Sequence, residues 1–83
     1  MDYVARTPAQ LGPILKSLRG SHGLTQQDAG AKVGLKQSTV SALERLPENS
    51  SVETLYKLLS ALGLELIIRD KSNVRHRSNQ KEW

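Results

Sequence analysis

Cysteine and phenylalanine are absent from this 83-residue sequence, and its only aromatic residues are two tyrosines and one tryptophan. The lack of cysteine excludes a disulfide-bonded scaffold and a cysteine-ligated zinc site, and it is typical of intracellular proteins. No apolar run approaches the roughly 20 residues that span a bilayer. The first ten residues, MDYVARTPAQ, also lack the basic stretch and apolar stretch of a secretion signal. We therefore expect a cytoplasmic protein that does not associate with a membrane.

The remaining composition indicates one small, basic domain with an aliphatic core. Hydrophobic residues make up 37% of the sequence, and with so few aromatics the core has to be built from Leu, Val, Ile and Ala. Such a core is thin, so dimerisation is a plausible source of additional stability. The net charge of +4 is compatible with a polyanionic partner but does not identify one.

The most informative stretch runs from Thr25 to Arg45, TQQDAGAKVGLKQSTVSALER, and it predicts two short helices joined by a tight turn. Gly30 stands where the helices have to approach closely, and Gly34 stands at the turn, where glycine adopts a positive φ at little cost. Apolar residues fall where the two helices have to touch, namely at Ala29, Val33, Leu35, Val40 and Leu43. This pattern is typical of a DNA-reading helix-turn-helix, whose second helix enters the major groove.

One further helix is predicted on each side of this stretch. Thr7 caps the first helix and Gly23 ends it, and its apolar face consists of Leu11, Ile14, Leu15 and Leu18. Ser50 and Glu53 form a capping box for the last helix, which ends at Gly63. The apolar face of that helix consists of Val52, Leu55, Leu58, Leu59 and Leu62. The predicted fold class is therefore all-α, a compact helix-turn-helix bundle of four helices.

After the last helix the spacing of apolar residues changes. Alternate residues from Leu64 to Ile68 are apolar, which predicts one C-terminal β-strand over residues 64–69. A lone strand leaves its backbone groups unpaired, so we expect it to pair with the same strand of a second copy across a dimer. The alternative is an irregular chain over the core. Residues 7–69 then form the domain, and the polar residues 70–83 form a flexible tail.

One face of the third helix carries the short, uncharged side chains that close approach to DNA bases favours. Gln37 can donate and accept at once, which matches the N6/N7 edge of adenine. Lys36, at the start of the helix, can reach guanine or a phosphate. Ser38 and Ser41 are adaptable but poorer discriminators. The alternative interpretation is an ordinary solvated helix face.

Three other side chains are candidates for contacts with the DNA backbone. Gln26 stands at the start of the second helix, where it can bond a phosphate together with backbone N–H groups. The alternative is an ordinary helix-start glutamine. Thr39 and Arg45 are candidates for additional phosphate contacts.

The segment GLTQQDAGAKVGLKQSTVSALE resembles the Cro/C1-type (XRE) helix-turn-helix family, and the resemblance extends over about residues 8–63. In that family, the glutamine that corresponds to Gln26 contacts phosphate. The residues that correspond to Gln37 and Ser38 read bases. The resemblance therefore implies the same roles for these three side chains.

Two further features of the resemblance concern the fold rather than DNA. Arg19 and Glu44 correspond to a pair that forms a salt bridge between the first and third helices. Ala29 is a departure, because the family usually has leucine there, and the smaller side chain thins the core. Neither feature alters the implied function.

A narrower resemblance is to the HipB family of antitoxins from HipBA-type toxin–antitoxin systems. It is carried by KQSTVSALE, by the LELIIR segment and by the polar tail that ends in EW. It implies a homodimer that binds a double-stranded DNA operator, represses its own operon and binds a HipA-like serine/threonine kinase toxin. Trp83 is then a candidate aromatic anchor for a pocket on the toxin. Without the resemblance, an unstructured terminus is the simpler interpretation.

We predict no enzymatic activity, no cofactor and no metal site. His22 and His76 fall in a turn and in the tail, without a second ligand at metal-binding spacing. Two other functions stay open, a stand-alone Cro/C1-type repressor without a toxin and a protein-interaction adaptor that uses the same helices.

Overall fold

A computed structural model describes residues 2–70, and within that range the chain forms four α-helices and one short 3₁₀ turn. The helices and the turn are, in chain order, α1 (Pro8–Ser21), α2 (Gln26–Ala31), α3 (Gln37–Arg45), the 3₁₀ turn (Pro47–Asn49) and α4 (Val52–Ala61). Gly34 lies between α2 and α3 and has the predicted positive φ, 74°. The predicted all-α helix-turn-helix bundle is therefore confirmed.

The predicted caps of α1 and α4 differ from the structure. Thr7 occupies the cap position of α1, but its side chain makes no capping hydrogen bond. The predicted cap of α4 at Ser50 is wrong by one residue, because the N–H of Ser50 closes the 3₁₀ turn by donating to the Pro47 carbonyl at 3.0 Å. Ser51 caps α4 instead, and its hydroxyl accepts from the Thr54 N–H at 3.0 Å.

The start of α2 has a complete capping box, which holds the first residue of the helix in place. The Thr25 hydroxyl accepts from the Asp28 N–H at 3.0 Å, and the Asp28 carboxylate accepts from the Thr25 N–H at 3.2 Å. Reciprocal bonds of this kind satisfy two backbone donors that the helix itself leaves unpaired. Gln26, the first residue of α2, is consequently fixed in position.

The core lies between the four helices and consists of aliphatic side chains. Its buried members are Leu15, Ala29, Val40, Leu43, Leu58, Leu59 and Leu62. Ala29 is fully buried despite its small size. Val33 is half-buried and lies outside this core. Val52 was expected on the apolar face of α4, but it is 69% exposed because it is the first residue of the helix and lies at its solvent-facing end.

Two glycines let backbones approach one another closely. A Cβ atom on Gly30 would collide with the Leu35 carbonyl of the α2–α3 turn and would lie 3.2 Å from a Val40 methyl group, as the sequence predicted for a close crossing. Gly12 has the same role in α1, where a Cβ atom would collide with the Glu44 carbonyl of α3. The second contact was not predicted, and it places α1 directly beside the end of α3.

Helix α4 ends in a tight turn at a glycine with a positive φ. Gly63 has a φ of 68°, and the Leu64 N–H donates to the Leu59 carbonyl at 2.8 Å. Residues 64–70 then run without helical structure, and they pair with no other strand within the described range of 2–70. Since pairing across a dimer requires a second chain, the predicted strand remains a prediction.

Candidate nucleic-acid interface

The two glutamines predicted to contact DNA are in direct contact with each other. Gln26 is the first residue of α2 and Gln37 is the first residue of α3. The Gln37 Nε2 atom donates to the Gln26 Oε1 atom at 2.5 Å. Gln26 is half-buried, whereas Gln37 is exposed. The turn between the helices therefore presents both amides at one surface.

Behind this pair lies a buried carboxylate. The Gln26 Nε2 atom donates to the Glu44 Oε1 atom at 3.0 Å, and the Glu44 side chain is only 2% exposed. Three side chains consequently form a continuous hydrogen-bonded chain from the interior to the surface, in the order Glu44, Gln26 and Gln37.

Arg19 of α1 holds the Glu44 carboxylate with two parallel bonds. Its Nε atom lies 2.6 Å from Glu44 Oε2, and its Nη2 atom lies 3.1 Å from Glu44 Oε1. The third nitrogen, Nη1, donates to the Leu24 carbonyl at 2.7 Å. The salt bridge that the family resemblance implied is therefore present, in the two-pronged geometry that arginine and carboxylate groups favour.

This pairing keeps both groups ionised. Burial acts to raise the pKa of the Glu44 carboxyl, but the hydrogen bonds from Arg19 and Gln26 and the positive charges of Arg19 and Lys16 outweigh it, so the pKa lies below its usual value. The hydrogen bond to Glu44 raises the pKa of Arg19. Glu44 is thus a carboxylate that can accept hydrogen bonds but cannot donate them.

The other candidate residues lie on or beside α3. Lys36, Ser38 and Arg45 are exposed, and Thr39 and Ser41 are half-buried. The Arg45 Nε atom donates to the Ser41 hydroxyl at 3.3 Å, one helical turn away. The structure thus brings Gln26 together with Gln37 and Ser41 together with Arg45. Trp83 lies outside the described residues.

Sequence reasoning missed the link between the salt bridge and the glutamines. It assigned Arg19 and Glu44 to the fold alone, although Glu44 follows Gln37 by two helical turns on the same side of α3. That spacing was the available signal. The contact with Gln26 depends on the crossing of α2 and α3, which spacing within one helix does not specify.

A family model described as Helix-turn-helix matches residues 15–68 of the chain. The chain belongs to the helix-turn-helix family. Antitoxin HipB of Escherichia coli (strain K12) is 34% identical over 80 residues, which cover 93% of this chain and 91% of that relative. An HTH-type transcriptional regulator of Sinorhizobium fredii, y4dJ, is 43% identical over 54 residues, which cover 65% of this chain and 70% of the regulator. Among helix-turn-helix proteins, the chain belongs with the HipB antitoxins.

Solved structures of HipB have the same fold as this helix-turn-helix chain. A HipA-HipB-O2-O3 complex contains a chain that matches this one with a TM-score of 0.81 and 32% sequence identity. The match covers 86% of this chain and 100% of the chain in the complex. A HipB-O4 20mer complex matches with the same TM-score of 0.81, the same 32% identity and the same coverage of 86% and 100%.

A second surface of the helix-turn-helix domain is apolar and exposed. We call it the C-terminal surface, and it consists of Tyr56, Leu66, Ile67 and Ile68, whose exposed fractions are 52%, 51%, 62% and 91%. Leu66 and Ile67 also line a cavity of about 450 Å³ over α1, together with Tyr3 of the N-terminal arm. Apolar side chains exposed in three consecutive residues, Leu66 to Ile68, favour an interaction surface over a free solvent-facing one.

The described part of the chain offers neither a cluster of metal ligands nor a membrane-spanning helix. Across residues 2–70, no three acidic or histidine side chains are grouped so that they could hold a metal ion. His22 lies in the turn after α1, and His76 lies outside the described residues. In the same range, none of the helices combines the length and the apolar character needed to cross a membrane.

Proposed function

We propose that this chain is a sequence-specific DNA-binding repressor that acts as the antitoxin of a type II toxin–antitoxin system and regulates its own operon. The observation that carries the proposal is the pair of amides, Gln26 and Gln37, that the two helices of the helix-turn-helix place together at one surface. Support comes from the HipB-O4 20mer complex, which contains a chain that this one matches over 86% of its length.

In this proposal α3 lies in the major groove and Gln37 reads a base. After donating to Gln26, the Gln37 amide still has one N–H and its carbonyl oxygen, which match the N7 acceptor and the N6 donor of adenine. Ser38 and Ser41 supply further contacts to base edges. Gln26 bonds a phosphate at the start of α2, and Lys36, Thr39 and Arg45 add contacts to the DNA backbone.

The proposed assembly is a homodimer. The C-terminal surface exposes three consecutive apolar residues, Leu66, Ile67 and Ile68, in a segment without helical structure. Pairing residues 64–69 with their copies would satisfy the backbone groups and cover these side chains. A two-fold dimer would then present two α3 helices to two half-sites of a palindromic operator.

The proposed protein partner is a HipA-like serine/threonine kinase toxin, and Trp83 is the proposed anchor for a pocket on it. Support comes from the solved HipA-HipB-O2-O3 complex that contains a chain of the same fold. We assign the chain no catalytic role, and a repressor of this kind acts in the cytoplasm, where the operon is. A stand-alone repressor without a toxin is the alternative, and isolating the protein that co-purifies with the chain distinguishes the two.

Gln37→Ala tests the assignment of the recognition helix. One lost bidentate base contact costs about 1–3 kcal/mol of binding free energy, so the dissociation constant should rise by roughly five- to 150-fold. The measurement is a titration of a fluorescent duplex that carries the promoter of the chain's own operon. Gln27→Ala is the matched control, because Gln27 is an exposed glutamine beside Gln26 and should change the affinity little. Wild-type affinity in Gln37→Ala would contradict the proposed site.

Trp83→Ala tests the anchor. Burying a tryptophan side chain removes a large apolar area from water, which favours binding. Calorimetry against the purified kinase should therefore show weaker binding by the variant, while the affinity for the promoter duplex stays within a few-fold of wild type. Equal affinities for the kinase would remove Trp83 from the proposed interface.

A further inference from the structure

We propose that Glu44 is a positioning residue for base reading, because its buried carboxylate fixes which end of the Gln26 amide faces Gln37 and so determines the donor and acceptor that Gln37 presents to DNA. The inference rests on the proposed role of Gln37 in reading a base. It gives the salt bridge between α1 and α3 a part in specificity beyond its part in the fold.

The first step is the orientation of the Gln26 amide. A side-chain amide has a carbonyl oxygen on one side and an NH₂ group on the other, and only the NH₂ group can bond to a carboxylate. Glu44 accepts from Gln26 Nε2 at 3.0 Å, and Arg19 holds the carboxylate itself with bonds of 2.6 and 3.1 Å. The Gln26 Oε1 atom is consequently turned toward the surface.

The second step is the orientation of the Gln37 amide. Since the Gln26 oxygen can only accept, Gln37 has to direct its own NH₂ group at it, as the 2.5 Å contact shows. Gln37 is then left with one N–H donor and one carbonyl acceptor. That combination fits adenine, which presents one acceptor and one donor. Guanine presents two acceptors, O6 and N7, so its O6 oxygen would face the Gln37 carbonyl oxygen and repel it. The carboxylate in the core therefore favours adenine over guanine at the surface.

Replacing the carboxylate with an amide should reverse each step. In Glu44→Gln the amide oxygen takes the place of Oε2, where the shortest bond, from Arg19 Nε at 2.6 Å, retains it. The new NH₂ group takes the place of Oε1, so it loses the 3.1 Å bond from Arg19 Nη2 and faces Gln26. Gln26 then turns its oxygen inward and its NH₂ group toward Gln37, whose carbonyl has to accept. Gln37 presents two N–H donors instead, and these fit the two acceptors of guanine.

The experiment measures base preference, which a residue with a structural role alone would not alter. The wild-type full-length protein first selects duplexes from a randomised library. Versions of a selected duplex that carry each of the four base pairs at every position are then titrated with the wild-type protein and with each variant. The position read by Gln37 is the one whose preference Gln37→Ala removes. There, the adenine-to-guanine affinity ratio of Glu44→Gln should fall roughly tenfold or invert, the size of one bidentate contact.

Arg19→Lys is the matched control. It loses the two-pronged bond and should lower the melting temperature, yet it keeps a positive charge beside an ionised Glu44, so the affinity ratio should stay as in wild type. If Glu44→Gln weakens binding to all four duplexes by the same factor, Glu44 acts only on the fold and the inference is wrong.

Gln26→Met keeps the test decisive if Glu44→Gln does not fold, because it leaves the bonds between Arg19 and Glu44 intact. Methionine is similar in length to glutamine but gives Gln37 no amide to align with, so the affinity ratio should move toward one. An unchanged ratio would overturn the inference. If instead Gln37→Ala leaves every preference unchanged, the proposed base reading itself fails, and the inference fails with it.

Discussion

The helix-turn-helix unit and the C-terminal segment treat their polar and apolar groups in opposite ways. In α2 and α3, the capping box, the salt bridge and the chain of amides satisfy the buried polar groups within one molecule, and Val40 and Leu43 are fully covered. In residues 64–70, Ile67 and Ile68 are 62% and 91% exposed, and within the described chain no strand pairs with their backbone. The first region satisfies its buried polar and apolar groups within one copy of the chain. The second region exposes apolar side chains that a second copy could cover.

Because of this difference, the two regions should respond to substitution in different ways. A region complete in one copy should lose unfolding free energy at every protein concentration when its contacts are removed. A segment that pairs with a second copy should instead change the monomer–dimer equilibrium, which depends on concentration. The effects of substitutions in the two regions should therefore differ in magnitude, and they should also differ in how they depend on protein concentration.

Leu43→Ala should have the largest effect. Leu43 of α3 is 1% exposed, and truncating a buried leucine leaves a cavity and costs about 2–5 kcal/mol of unfolding free energy. Urea denaturation followed by circular dichroism measures this loss, which should not vary with protein concentration. Leu46→Ala is the control with the same chemistry, because Leu46 is 43% exposed and should cost far less. Similar losses in the two variants would contradict the assignment of the core.

The sequence predicted this first region well because local chemistry determines it. Gly30 was predicted at a close helix approach and Gly34 at a positive φ, and the structure has both glycines in those roles. Predictions failed where the outcome depended on neighbours. Ser50 lost the cap of α4 to Ser51 because the 3₁₀ turn after Pro47 used its N–H, and Val52 is exposed at a helix start that the apolar repeat alone does not reveal.

The candidate site divides in the same way. The positions of Gln26 and Gln37 at two helix starts follow from the pattern of capping and turn residues, and their proximity follows from the helix-turn-helix itself. The bond from Gln26 to Glu44 does not, because it depends on how closely α2 and α3 cross at Gly30. Contacts between helices of this kind cannot be derived from the spacing within any one of them.

Leu66→Pro should have the next largest effect, and it should appear in assembly. Proline removes a backbone donor from residues 64–69 and constrains Glu65, and two-fold pairing applies the loss twice. At about 0.5–1.5 kcal/mol for each hydrogen bond, the dimer dissociation constant should rise on the order of tenfold, and operator binding should weaken with it. Sedimentation velocity over a range of concentrations measures the change.

Leu66→Val is the control for that experiment. Valine keeps the N–H, remains apolar and favours extended backbone, so this variant should stay dimeric. Circular dichroism should show the helices intact in both variants, because Leu66 lies outside them and is 51% exposed. A dimer unaltered by Leu66→Pro would place the interface on the helices instead.

The smallest of the three expected effects is acid sensitivity, and it should belong to the helix-turn-helix unit. The hydrogen bonds and charges that outweigh burial hold the pKa of Glu44 below its usual value. A group whose pKa is lowered by folding stabilises the protein fully above its unfolded pKa, roughly 4.3 for glutamate, and this contribution is lost as the pH falls through the lower folded value. Arg19, whose pKa the hydrogen bond to Glu44 raises, stays charged throughout.

Urea unfolding of wild type and Glu44→Gln over a series of pH values isolates this contribution. Wild type should be more stable near neutrality, and the difference should narrow as the solution becomes acidic, because glutamine has no proton to gain while every other carboxyl is common to both proteins. Asp2→Asn is the control from the other region, since the Asp2–Arg69 pair is separated by 3.8 Å and is mostly exposed. An exposed ion pair contributes little to the unfolding free energy, so the difference in that energy between wild type and Asp2→Asn should be small at every pH. If the difference in unfolding free energy between wild type and Glu44→Gln stays constant from neutral to acidic pH, ionisation of the Glu44 carboxyl does not stabilise the folded protein.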